Sequence, residues 1–227
     1  MYFHWTYLLL LPGLILGLWA QARVKSAYAK YSKVPTERGE PAAAVVLELL
    51  HQQGVDDMTV TPISGELTDH FDPKTNNLGL SQGVYGSSSV AAVGIAAHEA
   101  GHALQKKDNY GPLALRSVMV PAVNIGSTAA WPIFVLGLLF SWQPLLWAGI
   151  ICFGLAVLFA LITLPVEFDA SRRAMAMLSN SGFFTQAEEA GVKKVLTAAA
   201  MTYVASFVSV LLQLLRLILI ANSRRRD

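Results

Sequence analysis

The sequence is poor in charge and in cysteine. Of its 227 residues only 14% are charged and 54% are hydrophobic. A soluble domain carries about a quarter charged residues, so the shortfall points to a lipid bilayer. The single cysteine, Cys152, lies in an apolar run. One cysteine excludes an intrachain disulfide and a thiolate metal site, and Cys152 reads as a small buried apolar residue. The net charge of +2 is too small to imply nucleic acid, and no such partner is expected. The basic residues read as cytoplasmic flanks of membrane segments. Internal repeats and low-complexity stretches are absent. The length suits one compact domain, or a small domain fused to a few membrane helices.

The first apolar run, Tyr2 to Ala20, approaches the roughly 20 residues a spanning helix needs. Ala20-Gln21-Ala22 mimics a signal-peptidase site, yet positive charge follows the run at Arg23, Lys25, Lys30, Lys33 and Arg38. A cleaved signal has the opposite asymmetry. Residues 1–22 therefore read as an uncleaved anchor, with the N-terminus outside and residue 23 onward in the cytoplasm.

Residues 23–116 form the expected cytoplasmic catalytic part. Pro41 and Gly54 bracket a predicted helix. Short strands are predicted over Met58–Ile63, Glu66–Phe71 and Asn77–Ser81, with the Asp72–Asn76 turn joining the last two. Ser87-Ser88-Ser89 then offers an N-cap for a helix reaching about Lys107. Residues 117–165 read as a transmembrane hairpin, with runs Val118–Phe140 and Leu145–Leu164 joined by Ser141–Pro144. Pro121 and Pro132 predict a kink in the first run. The polar segment 166–194 returns to the cytoplasm. Residues 195–227 hold a last apolar helix that either spans or packs on the catalytic part. A fourth span would put Arg224, Arg225 and Arg226 outside, against the positive-inside rule. Elsewhere the rule is obeyed: 13 of the 17 Lys and Arg fall in the two cytoplasmic segments.

Chemistry concentrates at Ala97-His98-Glu99-Ala100-Gly101-His102-Ala103. On a helix, positions i and i+4 share a face, so the imidazoles of His98 and His102 can chelate one ion. Two imidazoles suit Zn2+. Glu99 lies about 100° around the helix from His98, flanking the metal. There it can take a proton from water and pass it to a leaving amine. Gly101 lowers helix propensity by about 1 kcal/mol, so its place in the motif signals a packing or access requirement. The surrounding face is apolar, where two histidines and a glutamate without a metal would be costly.

A catalytic zinc site needs a third protein ligand and an open position. The leading candidate is Glu167, just beyond the second apolar run of the hairpin. Asp169 is the second choice, and a candidate outer partner of a ligand. Ser171, one turn after Glu167, shares its face and can orient a ligand through its hydroxyl. For an oxyanion donor the candidates are His70, Tyr203, Arg172 and Arg173, with His70 preferred as a catalytic residue. A turn residue bonded to Asp72 is the plainer reading of His70. Asn77–Ser81, read as an edge strand, could accept an extended substrate.

Three segments carry a resemblance. Asp69-His70-Phe71-Asp72-Pro73, Ala96-Ala97-His98-Glu99-Ala100-Gly101-His102-Ala103 and Leu164-Pro165-Val166-Glu167-Phe168-Asp169-Ala170-Ser171 resemble the YugP-type neutral zinc metallopeptidases of bacteria. These are similar in motif to the gluzincin membrane peptidases, which include the CAAX prenyl proteases and the heat-shock membrane protease. The resemblance implies His98, His102 and Glu167 as zinc ligands and Glu99 as the catalytic residue. One departure stands out: gluzincins usually carry aspartate where this chain has Ser171. The fold class expected is mainly α, a multi-pass helical membrane protein with a small cytoplasmic α+β, gluzincin-like metallopeptidase domain. The expected function is a zinc metalloendopeptidase of the bacterial cytoplasmic membrane. Its active site faces the cytoplasm, and its partners are the bilayer and a peptide or membrane-protein substrate. Two alternatives are a site-2-type intramembrane protease, which the lack of a Leu-Asp-Gly segment disfavours, and a catalytically silent zinc-binding adaptor, which the retained Glu99 disfavours.

Overall fold

The structure, a computed structural model, describes residues 5–223. The first residues of the expected anchor and Arg224–Arg226 lie outside the described residues. The chain is mainly helical with one small sheet. A 3-10 turn, Trp5–Leu10, leads into α1 (Leu11–Tyr31), followed by α2 (Ala42–Gln52). Strands β1 (Thr59–Ile63), β2 (His70–Asp72) and β3 (Asn77–Ser81) come next, then the single-turn α3 (Gln82–Tyr85) and α4 (Val90–Lys107). Three long helices complete the chain: α5 (Gly111–Leu139), α6 (Gln143–Ser181) and α7 (Gln186–Ser223). Among the described residues, four segments are long and apolar enough to cross a membrane: Trp5–Tyr31, Gly111–Leu139, Gln143–Ser181 and Gln186–Ser223.

The chain divides into two compact units. One comprises residues 1–20, 114–165 and 202–227; the other comprises 21–113 and 166–201. In the first, small residues let helices approach closely, as membrane helices do in the absence of a hydrophobic drive between them. A Cβ on Gly149 of α6 would lie 2.9 Å from the Phe134 nitrogen of α5. One on Gly13 of α1 would lie 2.9 Å from the Ser209 hydroxyl of α7. Phe134, Leu146, Ile150, Leu217 and Ala221 form its buried core. Arg216, buried within α7, stacks on the Tyr7 ring 3.9 Å from its centroid.

The second unit is built around α4, which is buried on nearly every side. Ser89 caps it, its hydroxyl accepting the Ala92 N–H at 3.2 Å, as the serine cluster predicts. α2 buries Val45, Val46, Leu49 and Leu50 at helical spacing. Each such side chain is worth roughly 1.5–3 kcal/mol of apolar transfer. Gly54 follows α2 with φ +67°, the left-handed conformation that ends helices. Val192 and Leu196 of α7 join this core beside Val93 and Ala96 of α4. The start of α7 thus packs beside α4 in the second unit, and its remainder belongs to the first unit.

The sheet corrects two expectations. Its order is β1-β3-β2, with β1 parallel and β2 antiparallel to β3. Asn77–Ser81 is therefore the central strand, paired with β1 along its length and with β2 over Asn77–Gly79. The second predicted strand, Glu66–Phe71, shrinks to His70–Asp72. Gly65 and Leu67 take positive φ, +107° and +53°, so the chain turns there. Pro121 and Pro132 lie inside an unbroken α5. The second hairpin run and the polar segment after it form one helix, α6, which continues through Pro165.

Candidate metal centre

α4 and α6 bring together the three side chains singled out in the sequence. One ligand atom from each of His98, His102 and Glu167 lies within 4.8 Å of the other two. Glu167 Oε2 is 3.2 Å from His98 Nε2 and 3.7 Å from His102 Nε2. The imidazole rings stand edge to face, with centroids 4.9 Å apart. Glu167 is 2% exposed and Glu99 and His102 are each 9% exposed, so the group is shielded while its histidine face stays reachable.

These distances test the fit of a metal. Bonds of about 2.0–2.1 Å in a tetrahedron place neighbouring ligands roughly 3.3 Å apart. The two Glu167–imidazole separations lie near that value and all three ligand atoms lie within 4.8 Å of one another, so the group can close on Zn2+ by inward movement of its side chains. The donor set, two imidazoles and a carboxylate, is one zinc accepts. The electrostatics agree. Burial pulls the His102 pKa down, but the hydrogen bond it donates to Glu167 and the fields of Glu99 and Glu167 leave it raised above the ordinary histidine value. The site favours positive charge at its centre.

The far side of each ring is held as well. His98 Nδ1 lies 3.1 Å from Ser171 Oγ, the orienting role expected of that hydroxyl. His102 Nδ1 lies 2.9 Å from Gln105 Oε1. Gln105, which sequence reasoning missed, is wholly buried and also donates from Nε2 to the Val166 carbonyl at 2.7 Å and to Asp169 at 3.0 Å. Its only sequence signal is its place one turn after His102. Asp169 reaches His102 through this amide and does not join the three converging ligand atoms.

The remaining candidates are not among the three converging ligands. His70 sits on β2 opposite Gly79, with its ring packed where a Gly79 Cβ would be, and Nδ1 is 3.0 Å from the Thr68 carbonyl. Among the described residues, its hydrogen bonds reach neither Asp72 nor His98, His102, Glu99 or Glu167. Asp72 instead accepts from the Thr75 hydroxyl at 2.7 Å and the Lys74 N–H at 2.9 Å, which lower its pKa below the usual carboxylate value. Asp69 accepts both the N–H (2.8 Å) and the hydroxyl (3.1 Å) of Ser81. The acids of the Asp69–Pro73 segment thus pin the sheet and its turn. Arg172 and Arg173 both pair with Asp169, and Arg173 also pairs with Asp108. Tyr203 lies on α7 in the first unit.

The chain is 45% identical over 219 residues to a protein of Bacillus subtilis (strain 168) named "Putative membrane protease YugP", covering 96% of this chain and 97% of that one. No solved structure matches the chain. A family described as "Putative neutral zinc metallopeptidase" matches residues 6–222. With the match covering almost all of its length, the chain belongs to this neutral zinc metallopeptidase family.

Proposed function

We propose that this protein is a zinc metalloendopeptidase that hydrolyses peptide bonds at the cytoplasmic surface of the bacterial inner membrane. The observation that carries the reading is the convergence of His98 Nε2, His102 Nε2 and Glu167 Oε2 at separations a zinc ion spans. His98, His102 and Glu167 would hold the ion in a gluzincin-like arrangement, two ligands from one helix and one from another. Bound zinc supplies Lewis acidity, which brings the pKa of water toward about 7.

Glu99 follows His98 on α4 and its field reaches His102. As general base it takes the proton of the attacking water, and as general acid it hands that proton to the departing amine. Ser171 keeps the His98 ring turned toward the centre. An oxyanion donor is still required. His70 is proposed for it, provided its ring leaves the Thr68 carbonyl when substrate binds. β1 and β2 occupy the two sides of β3 over Asn77–Gly79, so an extended peptide would add at the outer edge of β1 or β2.

Orientation rests on charge. The segments carrying the site hold most of the chain's Lys and Arg, whereas Ser141–Pro144 holds none, which favours the cytoplasm for the site. The test of the function is Glu99→Gln in the full-length protein. It should retain about one zinc per chain by metal analysis and lose cleavage of a proteome-derived peptide library. A hydrolytically active Glu99→Gln protein refutes the mechanism. Wild-type protein that binds zinc and cleaves nothing in the library favours the silent adaptor.

A further inference from the structure

We propose that Gln105 is a positioning residue that sets two of the three zinc ligands at once, by fixing the tautomer of His102 and the register of Glu167 against it. The proposal rests on the zinc reading above. Its structural basis is that all three polar groups of one fully buried amide are used.

The orientation of the amide is not free. Its nitrogen lies 2.7 Å from the Val166 carbonyl and 3.0 Å from an Asp169 carboxylate oxygen. Both partners accept hydrogen bonds, so the NH2 group must face them. The oxygen is then left facing His102 Nδ1 at 2.9 Å. An amide oxygen only accepts, so His102 must carry its proton on Nδ1. That leaves Nε2 as the nitrogen that faces the Glu167 carboxylate and the one through which His102 can bind a metal. A ligand histidine whose other nitrogen donates to a fixed acceptor is oriented and made more basic.

The second consequence comes through the backbone. Val166 immediately precedes Glu167 in α6. By holding the Val166 carbonyl and the His102 ring together, Gln105 ties α4 to α6 at the ligand pair itself. The carboxylate that anchors the amide is held in turn. Asp169 accepts from Arg173 Nε at 2.6 Å, and Arg173 bonds Asp108, the residue that ends α4. The chain of contacts leaves α4 at His102, crosses to α6 and returns to α4 within the second unit. A neutral amide suits the central place: a glutamate there would set two carboxylates against each other and lose both donors.

The test uses full-length protein in detergent or nanodiscs, with zinc affinity read by chelator competition and the His102 tautomer by 15N-histidine NMR of the metal-free form at a pH where its imidazoles are neutral. Wild type should show His102 with its proton on Nδ1. Gln105→Met, close in size and unable to hydrogen-bond, should lose that signature and bind zinc about 10–100-fold more weakly, with the His98 signals kept. Gln105→Glu keeps the acceptor for His102, so it should keep the Nδ1–H tautomer while losing affinity through the Val166 and Asp169 contacts. If Gln105→Met does not fold, as judged by thermal unfolding and gel filtration, Gln105→Glu alone still tests the second arm. Unchanged zinc affinity in either folded variant overturns the proposal and leaves the zinc reading standing. Wild type that binds no zinc defeats the zinc reading, and the tautomer comparison still decides whether Gln105 fixes His102.

Discussion

Gly101 of α4 lies against the backbone of Ala170 of α6 so closely that a Cβ on Gly101 would stand 2.3 Å from the Ala170 carbonyl oxygen and 2.9 Å from its carbonyl carbon. The glycine inside the histidine motif is there for packing. It lets the helix that carries both histidines touch the helix that carries Glu167. The obstacle is main chain, which cannot rotate aside as a side chain can. Gly101→Ala must therefore separate the helices near the ligands or not fold. Overpacking a core costs about 1–3 kcal/mol, and here the displaced element bears a ligand. Zinc content should fall well below one per chain, with a lowered unfolding midpoint. Unchanged zinc content and stability would contradict the helix contact.

Glu167 should be indispensable for the metal. It is 2% exposed with a carboxylate oxygen facing both imidazoles. The nearest acid in sequence, Asp169, is engaged by Gln105, Arg172 and Arg173 and cannot take over. Glu167→Ala should reduce bound zinc to background in metal analysis of the purified protein. Glu167→Asp, shorter by one methylene, should retain partial binding. Stoichiometric zinc in Glu167→Ala would place the third ligand elsewhere.

Much of this arrangement was legible in the sequence because it is local. Pro41, Gly54 and Ser89 mark helix ends by the conformations they favour or by a side-chain cap. The His98–His102 spacing fixes a shared face without any tertiary knowledge. Glu167 was found by its place at the end of an apolar run. What escaped depended on distant pairing. The central position of Asn77–Ser81 comes from a parallel partner at Thr59–Ile63, and nothing in a five-residue pattern states which edge a remote strand will occupy. Gln105 looked like any polar residue near a helix end. Its role exists only because α6 supplies Val166 and Asp169 opposite it. The continuity of α6 through Pro165 was hidden too, because a proline removes one helical hydrogen bond without saying whether its neighbours will hold the helix together.

Ser171 offers a graded test of ring orientation. Its hydroxyl is 3.1 Å from His98 Nδ1, where the wider gluzincin pattern has a carboxylate. Ser171→Ala removes that partner and should weaken zinc binding about 10-fold, the lower end of the range for lost outer contacts of ligand histidines. Ser171→Asp supplies a charged acceptor, and charge-assisted hydrogen bonds are roughly twice as strong as neutral ones. It should bind zinc at least as tightly as wild type in the same chelator competition. Equal affinity across all three proteins would show that the His98 ring is held by packing alone.

The membrane orientation can be decided by thiol labelling, since Cys152 is the one cysteine in the chain. In a Cys152→Ala background that keeps zinc, single cysteines at Lys74, Trp142 and Asn222 report three different places. Lys74 lies in the exposed turn between β2 and β3, Trp142 in the exposed link between α5 and α6, and Asn222 at the exposed end of α7. A membrane-impermeant maleimide applied to intact spheroplasts should modify Trp142→Cys and leave Lys74→Cys unmodified until the membrane is opened. Asn222→Cys decides the fourth crossing. α7 runs unbroken over Gln186–Ser223, and its last turns share a core with Phe134 and Leu146 of the hairpin. A full crossing puts Asn222 on the same side as Trp142, so labelling from outside is expected despite the three arginines that follow it. Modification of Lys74→Cys in sealed spheroplasts would invert the topology and move the proposed site out of the cytoplasm.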